Sequence, residues 1–197
     1  MPLSVIRRSF EASAADEEHF PSTIDPRIYH VQLIQRYFGP LGGKWVLDAG
    51  CGKGRFARVL LEANAGVRVV ALDLAMGMLE HVPEAAMGVC ATLTDFPLRG
   101  EVFDCVYATE SLEHAVDIER AVGELCRVLK PGGKFVVIDK NKEHWGKLET
   151  PEWERWFGRE ELAGMFRKHC RKVECEAVSY WEDVEPDGLF LCWRGEK

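Results

Sequence analysis

The sequence predicts an α/β protein built on a single doubly wound, mostly parallel sheet, with helices on both faces and an antiparallel hairpin at the C-terminus. Three observations predict this fold. Continuous apolar runs of strand length alternate with amphipathic helical patterns, a glycine-rich turn follows the first run, and no helix separates the last two runs. Continuous apolar strands separated by helices are typical of a parallel sheet covered on both faces. Two successive strands joined by a turn are expected to pair antiparallel.

The first half of the chain predicts three strands and three helices. Residues 1–25 are polar and show no sustained period, so we expect a loose arm or lid ahead of a domain over 26–197. Apolar residues at helical spacing and a closing Gly39-Pro40 predict a helix over 26–38. Strands are then expected over 45–47, 67–72 and 86–90, separated by a helix that ends near Asn64 and a short helix over 75–81.

The second half repeats the alternation. Strands are expected over 103–108 and 134–139, and Asp117 is placed to cap the helix between them. Lys130 precedes a proline and so leaves the helical region, and Gly132-Gly133 completes the turn into the next strand. The chain then predicts a helix over 159–169 and two strands over 173–180 and 189–194, joined by the turn-rich segment 185–188.

The composition indicates one soluble globular domain. The 197 residues are 47% hydrophobic and 29% charged, which suffices for one sizeable core. A net charge of −7 argues against neutralisation of many phosphates, so we expect a small-molecule partner and no nucleic acid. No apolar run approaches the roughly 20 residues that span a bilayer, and 1–20 has no signal-peptide core. Seven cysteines without a C-x-x-C pair are expected to be reduced core thiols, which predicts a cytoplasmic protein with no membrane partner.

The glycine-rich turn after the first strand is built for close contact with a ligand. Gly50, Gly52 and Gly54 occupy alternate positions, and glycine lets a ligand approach the backbone. The spacing is not the G-x-G-x-x-G of dinucleotide sites, and the carboxylate of Asp48 would repel a pyrophosphate and attract a cation. Asp73, at the end of the second strand, is placed to accept hydrogen bonds from two ribose hydroxyls. These acids favour a cationic nucleoside such as S-adenosylmethionine and disfavour a nucleotide-dependent oxidoreductase.

Five segments in this order resemble the class I S-adenosylmethionine-dependent methyltransferases. They are V-L-D-A-G-C-G-K-G at 46–54, the acid at 73, F-D-C-V at 103–106, E-S-L-E-H at 110–114 and R-V-L-K-P-G-G at 127–133. The resemblance implies a seven-stranded sheet with an antiparallel final hairpin. It also implies a cofactor site in which Asp48 and the backbone of Gly50, Cys51 and Gly52 hold the methionine end, Asp73 takes the ribose, and Leu74 and Met78 flank the adenine.

One position departs from the family. Members often carry an acid after strand three that receives the adenine amino group, and this position holds Thr92, ahead of the run Asp95-Phe-Pro-Leu98. A threonine hydroxyl can accept that hydrogen bond, though more weakly than a carboxylate. Leu93 would then offer its backbone N–H to the ring.

The loop after strand four, E-S-L-E-H, is expected beside the transferred methyl group. Methyl transfer to a hydroxyl requires removal of the hydroxyl proton, by a base or with the help of a metal. His114 is the candidate base or acceptor-orienting residue, with Glu113 and Glu110 beside it, and Glu110 is also expected to contact the cofactor. A capping or packing role for His114 is the alternative.

The same loop resembles that of ubiquinone-pathway O-methyltransferases and of small-RNA 2′-O-methyltransferases. In those enzymes the three side chains gather a divalent metal with another histidine. Here the set would be Glu110, Glu113 and His114, with His144 as a fourth ligand by position alone. An E-H pair is also common in methyltransferases without a metal, so a metal is possible but not expected.

The segment 140–157 follows strand five, where this fold contributes to the acceptor pocket. Trp153, Trp156 and Phe157 fit one helical face and are expected to dock a helix. Trp145 lies outside that pattern and, with neighbouring His144, is the candidate for the acceptor pocket. The lysines of this segment are expected on a solvated face, at positions Lys140, Lys142 and Lys147.

The predicted function is transfer of a methyl group from S-adenosylmethionine to a small-molecule acceptor, at a hydroxyl oxygen, leaving S-adenosylhomocysteine. In motif style the chain resembles small-molecule O-methyltransferases of the ubiquinone-biosynthesis type. The first alternative is N-methylation of a small amine or a protein side chain. The second is a non-catalytic module that retains the cofactor fold, and the chemically intact motif positions argue against it.

Overall fold

The computed structural model describes residues 1–197 and has a seven-stranded sheet at its centre. The strands are β1 (Trp45–Ala49), β2 (Arg68–Asp73), β3 (Met87–Cys90), β4 (Phe103–Thr109), β5 (Leu129–Lys140), β6 (Arg171–Val178) and β7 (Phe190–Glu196). Their order across the sheet is β3-β2-β1-β4-β5-β7-β6. Strands β1 to β5 pair parallel, while β7 runs antiparallel between β5 and β6. The predicted fold class, including the antiparallel C-terminal hairpin, is confirmed.

Six α-helices pack around the sheet. They are α1 (Leu3–Ser13), α2 (Tyr29–Phe38), α3 (Arg55–Ala63), α4 (Met76–Leu79), α5 (Ile118–Val128) and α6 (Arg159–Arg167). As predicted, Asp117 caps α5, because its carboxylate accepts a hydrogen bond from the backbone N–H of Arg120. None of the helices has the length and hydropathy of a membrane-spanning segment.

Helix α1 corrects the prediction of a loose N-terminal arm. Its 11 residues bury Ile6, and the helix packs against α4. Its apolar side chains Leu3, Ile6 and Phe10 line a large cavity. These positions have the spacing i, i+3 and i+7 of one helical face, so the sequence carried a short helical signal that the prediction did not use.

The hydrophobic core lies on both faces of the sheet. Alternate residues of a strand point to opposite faces. Leu47 and Val106 belong to a cluster that includes side chains of α5 and α6, whereas Val46 and Cys105 belong to a second cluster with side chains of α2 and α3. Because both faces are covered, the central strands are continuous apolar runs and show no alternation.

Two local predictions are wrong. The segment with Trp153, Trp156 and Phe157 is irregular and not helical, because Phe157 exchanges backbone hydrogen bonds with Lys140 and Lys142 that hold it extended. Lys140 is buried and does not lie on a solvated face.

Strand β5 begins at Leu129, earlier than predicted. The lysine-proline-glycine-glycine turn is incorporated as an irregularity that shifts the register against β4 between Phe103 and Cys105. The turn residue Gly132 has a φ of 76° and donates its N–H to the carbonyl of Lys197.

The carboxyl ends of β1, β2 and β4 meet at one edge of the sheet. The parallel register pairs Ala49 with Leu72 and Asp48 with Tyr107, so the residues that follow these strands are neighbours. Doubly wound folds bind ligands at this edge.

Candidate active site

The glycine-rich turn joins β1 to α3. Gly50, Gly52 and Gly54 have positive φ angles of 76°, 52° and 74°. A side chain on Gly50 would overlap Ser111, whereas a Cβ on Gly52 would meet no protein atom within 4 Å. The backbone therefore favours glycine at all three positions, and at Gly52 it leaves open space beside the turn.

Asp73 ends β2 and ties that strand to the glycine-rich turn. Its carboxylate accepts hydrogen bonds from the backbone N–H groups of Gly52, at 2.8 Å, and of Ala75, at 2.9 Å. Burial raises the pKa of Asp73 above its ordinary value, while these donors favour the ionised form. Each carboxylate oxygen keeps a free lone pair for a further donor.

A cavity of about 490 Å³ opens at this edge of the sheet. Small-molecule sites usually enclose about 300–1,000 Å³. The predicted site residues that line the cavity are Gly50, Cys51, Gly52, Asp73, Leu74, Met78, Thr92, Leu93, Glu110, Glu113 and His114.

Asp48 does not line this cavity. It is 1% exposed, and its Oδ2 atom has no hydrogen-bond partner in the protein. Burial raises the pKa of Asp48 to about 7. The residue is thus a buried acid, two positions before the turn, with one oxygen available to a donor.

The structure does not bring Trp145 or His144 to the cavity. Trp145 is 58% exposed and packs edge-on against Trp156, with ring centroids 5.2 Å apart, and the His144 ring lies beside Gly188. The short 3₁₀ helix Lys142–His144 redirects the chain after β5, and the cavity wall is formed further along, by residues that include Trp153.

Glu110 directly follows β4 in a strained backbone conformation. Its φ is 49°, in the left-handed region that non-glycine residues rarely adopt. Its Oε1 atom accepts a hydrogen bond from the hydroxyl of Tyr180 at 2.9 Å and lies 3.4 Å from Nη2 of Arg55. Side chains from three distant segments therefore meet beside the glycine-rich turn.

A buried charged cluster forms the other end of the cavity. The ammonium of Lys140 donates hydrogen bonds to Oε1 of Glu113, at 2.5 Å, and to Oε1 of Glu154, at 3.1 Å. Trp156 donates its indole N–H to the same Glu154 oxygen at 2.6 Å. The predicted metal set is only partly assembled, because Glu113 and His114 are joined by Glu154 and not by Glu110 or His144.

Asp139 is the third buried acid of this cluster. Its carboxylate accepts hydrogen bonds from the backbone N–H groups of Glu113 and Lys140. Burial and the neighbouring Asp139 raise the pKa of Glu113 far above its ordinary value. Three buried carboxyl groups, those of Glu113, Asp139 and Glu154, thus surround the single ammonium of Lys140.

His114 is a neutral imidazole at the cavity wall. Burial, and then the ammonium of Lys140, lower the pKa of His114 to about 3. Its Nε2 atom lies 3.6 Å from Oε1 of Glu113, and its Nδ1 atom has no partner in the protein. The Phe10 ring of α1 packs edge-on against the imidazole, with centroids 5.0 Å apart. The ring thus has an unpartnered nitrogen in a shielded environment.

The N-terminal segment is fastened over the cavity by two polar contacts. Glu11 of α1 accepts hydrogen bonds from the backbone N–H groups of Met76 and Gly77, at the start of α4. Lys53, within the glycine-rich turn, donates to Oε1 of Glu17 at 2.7 Å. The Lys53 side chain is only 1% exposed, so its ammonium is buried although the residue belongs to a turn that borders the cavity.

Sequence reasoning missed Arg55, Tyr180, Lys53 and Glu154 as parts of this site. Lys53 and Arg55 lie in or directly after the glycine motif, so proximity to it was the available signal. Tyr180 and Glu154 lie far from every motif in sequence and carry no such signal.

The sheet order, the glycine-rich turn after β1 and the acid at the end of β2 define a nucleoside-binding domain of the doubly wound α/β class. Residues 47–137 match the family described as methyltransferase domain. Over these residues the chain is similar to the class I S-adenosylmethionine-dependent methyltransferases.

Curated relatives support this family and differ in acceptor. A malonyl-[acyl-carrier protein] O-methyltransferase of Methylovorus is 30% identical over 141 residues, which cover 65% of this chain and 47% of the relative. A sarcosine/dimethylglycine N-methyltransferase of Halorhodospira halochloris is 32% identical over 133 residues, 63% of this chain and 47% of the relative. The chain thus spans about half the length of these relatives.

A solved structure shares the fold over nearly the whole chain. It is a methyltransferase of Haloferax volcanii in complex with the Trm112 methyltransferase activator, with a TM-score of 0.76 and 20% identity, covering 95% of this chain and 96% of that one. The similarity of fold therefore extends beyond residues 47–137, which the family match covers.

The residues at the turn fit the cofactor of this family. Asp73 has lone pairs for the hydroxyls of a ribose, and Gly52 leaves space at the backbone, whereas Asp48 is buried beside Tyr107 and does not line the cavity. Leu74 and Met78 line the cavity as apolar walls beside Thr92.

Proposed function

We propose that this protein transfers a methyl group from S-adenosylmethionine to a hydroxyl oxygen of an uncharged small molecule. The observation that carries the choice of oxygen is the neutral imidazole of His114, whose Nδ1 atom is buried without a partner. A hydroxyl acceptor needs a group that takes its proton, and a neutral amine does not.

In this proposal the glycine-rich turn and Asp73 hold the cofactor. Asp48 and the backbone of Gly50, Cys51 and Gly52 hold the methionine end, and Asp73 accepts the ribose hydroxyls. Leu74, Met78, Thr92 and Leu93 surround the adenine. When bound, the cofactor supplies a methyl group on a sulfonium that is already an activated leaving group, so orientation of the acceptor supplies much of the rate.

His114 then accepts the hydroxyl proton of the acceptor. A pKa of about 3 keeps its imidazole neutral at physiological pH and also makes it a weak base, so in this proposal it first accepts a hydrogen bond from the hydroxyl and takes the proton only as the oxygen gains the methyl group. Its Nε2 atom faces Oε1 of Glu113, so a proton on Nε2 leaves the lone pair on the unpartnered Nδ1. Glu110, held by Tyr180 and Arg55, borders the same space.

The charges of the cavity favour an uncharged acceptor. Arg55 is paired with Glu110, and Lys140 with Glu113 and Glu154, so both of these cations at the acceptor end already have a partner of opposite charge. Apolar side chains of α1 supply the opposite wall. The enclosed volume suits a small molecule and not a folded protein surface.

We also propose that residues 1–25 act as a lid. Phe10 covers His114, while Glu11 and Lys53 fasten the segment at α4 and at the glycine-rich turn. Such a segment excludes water from the reacting groups. Cofactor should protect residues 1–25 from proteolysis, and Lys53→Met should weaken that protection; identical digestion with and without cofactor would contradict a lid.

A screen with a labelled methyl donor tests the reaction. The library should contain matched pairs in which a hydroxyl replaces an amine on the same scaffold, with charged and uncharged versions. The proposal expects label on the oxygen of uncharged members, and His114→Phe should lower kcat at least 100-fold while changing cofactor Kd little. Label on amines only, with His114→Phe fully active, would favour N-methylation.

A further inference from the structure

Three side chains at the acceptor end of the cavity are arranged like the ligands of a cation. An oxygen of Glu113, an oxygen of Glu154 and a ring nitrogen of His114 all lie within 4.8 Å of one another. Carboxylate oxygens and imidazole nitrogens are ligands that Zn²⁺ and Mn²⁺ accept. The Glu113 and Glu154 side chains are only 1% and 3% exposed, so a counter-charge for them must come from within the site.

A cation of the protein already stands among these ligands. The Lys140 ammonium bonds to one oxygen of Glu113 and one oxygen of Glu154, and its side chain is 10% exposed. The Glu154 carboxylate is also held by the indole N–H of Trp156, and the backbone of Glu113 is fixed by its N–H, which donates to Asp139. The lysine is fixed in turn as the last residue of β5.

A divalent ion and this ammonium cannot occupy the cluster together. An ion bound to Glu113 and Glu154 would lie close to the Lys140 nitrogen, because that nitrogen is 2.5 Å from one oxygen of Glu113 and 3.1 Å from one oxygen of Glu154. Two cations that close repel strongly in a buried site. Displacement of the lysine would leave a buried ammonium without its partners, which is costly.

We propose that Lys140 is the resident cation of a metal-like cluster, and that its ammonium keeps divalent metals out of the acceptor end of the cavity. The cluster therefore resembles a metal site in its ligands and differs in having its counter-charge built into the chain. The inference deepens the proposed function and rests on it in one respect only, which is the assignment of this end of the cavity to the methyl acceptor. It assigns proton removal there to a base and not to a metal-bound group.

Metal binding to purified variants tests this role of Lys140. Lys140→Met removes the ammonium and keeps a flexible side chain of similar length. Each protein is equilibrated with excess Mn²⁺ or Zn²⁺ and dialysed, and its metal content and thermal unfolding midpoint are measured. We expect Lys140→Met to retain one ion per chain and to gain a metal-dependent rise in Tm, whereas the wild-type protein shows neither.

Two variants provide controls. Lys142→Met removes a neighbouring but exposed lysine, which pairs with Glu161, and should behave as the wild-type protein does. Lys140→Met combined with Glu154→Gln removes a ligand as well and should abolish the metal-dependent rise in Tm.

Two results would overturn the proposal. The first is a wild-type protein that retains a stoichiometric ion which Glu154→Gln releases, because the metal would then displace the ammonium. The second is a folded Lys140→Met that binds no ion. The wild-type measurement needs no variant, and Lys140→Gln provides a second neutral replacement if Lys140→Met does not fold. None of these readouts involves methyl transfer, so an incorrect acceptor assignment and an incorrect role for Lys140 give different results.

Discussion

Replacement of Gly52 by alanine tests where the cofactor lies against the protein. Gly52 has a φ of 52°, so an alanine there carries a strain of about 1–2 kcal/mol. The added Cβ meets no protein atom within 4 Å, and the residue lines the cavity. The new methyl group therefore enters space that only a ligand would fill.

Gly43→Ala is the matched control for this strain. Gly43 has a φ of 75° and also no atom within 4 Å of an added Cβ, but it lies outside the cavity. Both variants should lose a similar free energy of unfolding in urea. Only Gly52→Ala should lose affinity for S-adenosylmethionine and S-adenosylhomocysteine. Forcing a methyl group into a packed contact costs about 1–3 kcal/mol, which raises Kd about 5- to 150-fold in calorimetry.

Equal cofactor affinity in the two variants would refute this reasoning, since the ligand would then not approach Gly52. Gly50→Ala measures the cost of the same substitution at a position where a protein side chain, and not a ligand, already fills the space. There the added Cβ would overlap Ser111 and lie 2.8 Å from its Oγ atom, so the variant should be less stable than Gly43→Ala by about 1–3 kcal/mol. A second change, Ser111→Gly, should recover most of that difference.

Three further predictions follow from titration and backbone strain. Burial raises the pKa of Asp48 to about 7, so a cationic cofactor should bind more tightly as the pH rises toward 7 and should release about 0.9 proton per molecule bound at pH 6. Calorimetry in buffers of different ionisation enthalpy measures this release, and none from the wild-type protein would contradict the role of Asp48. Glu110 has a φ of 49°, so Glu110→Gly should be more stable in urea than Glu110→Ala by about 1 kcal/mol, and equal stability would mean that the backbone is unstrained. Burial lowers the pKa of His30 to about 4, and the unfolded chain, with a value near 6.5, takes up the proton first as the pH falls. The folded protein should therefore lose about 2 kcal/mol of stability between pH 7 and pH 5 that His30→Phe does not lose, and equal losses would contradict it.

The cofactor end of the site could be predicted because its residues are local in sequence. The turn from Asp48 to Gly54 is one continuous segment, and Asp73 is recognisable as the acid that ends the next apolar strand. Parallel pairing of adjacent strands then brings these two segments together without further information. Thr92 and Leu93 were expected from the family resemblance after the third strand, and both line the cavity.

The acceptor end could not be predicted in the same way, because its contacts join distant and irregular segments. Glu154 reaches Lys140 from a loop that no periodicity describes, and Tyr180 reaches Glu110 across 70 residues. The aromatic residues Trp153 and Trp156 have helical spacing but lie in an irregular segment with a turn at Trp153. Backbone hydrogen bonds between Phe157 and Lys140 and Lys142 hold the end of this segment against the chain that follows β5. At this end of the cavity the contacts depend on which side chains the tertiary structure buries together, and the spacing of residues in the sequence does not predict them.

This division has a chemical consequence for the family. The glycine-rich end of the cavity stands on the ends of β1 and β2, at the rigid edge of the sheet, whereas the other end is formed by α1 and the loops after β4 and β5. In the proposed function, substitutions in these segments can change the acceptor without disturbing the glycine-rich turn. An O-methyltransferase and an N-methyltransferase can therefore each be about 30% identical to this chain. In the proposed function, a few buried side chains select oxygen over nitrogen chemistry, and the choice depends on the neutral imidazole of His114 beside the Lys140 cluster.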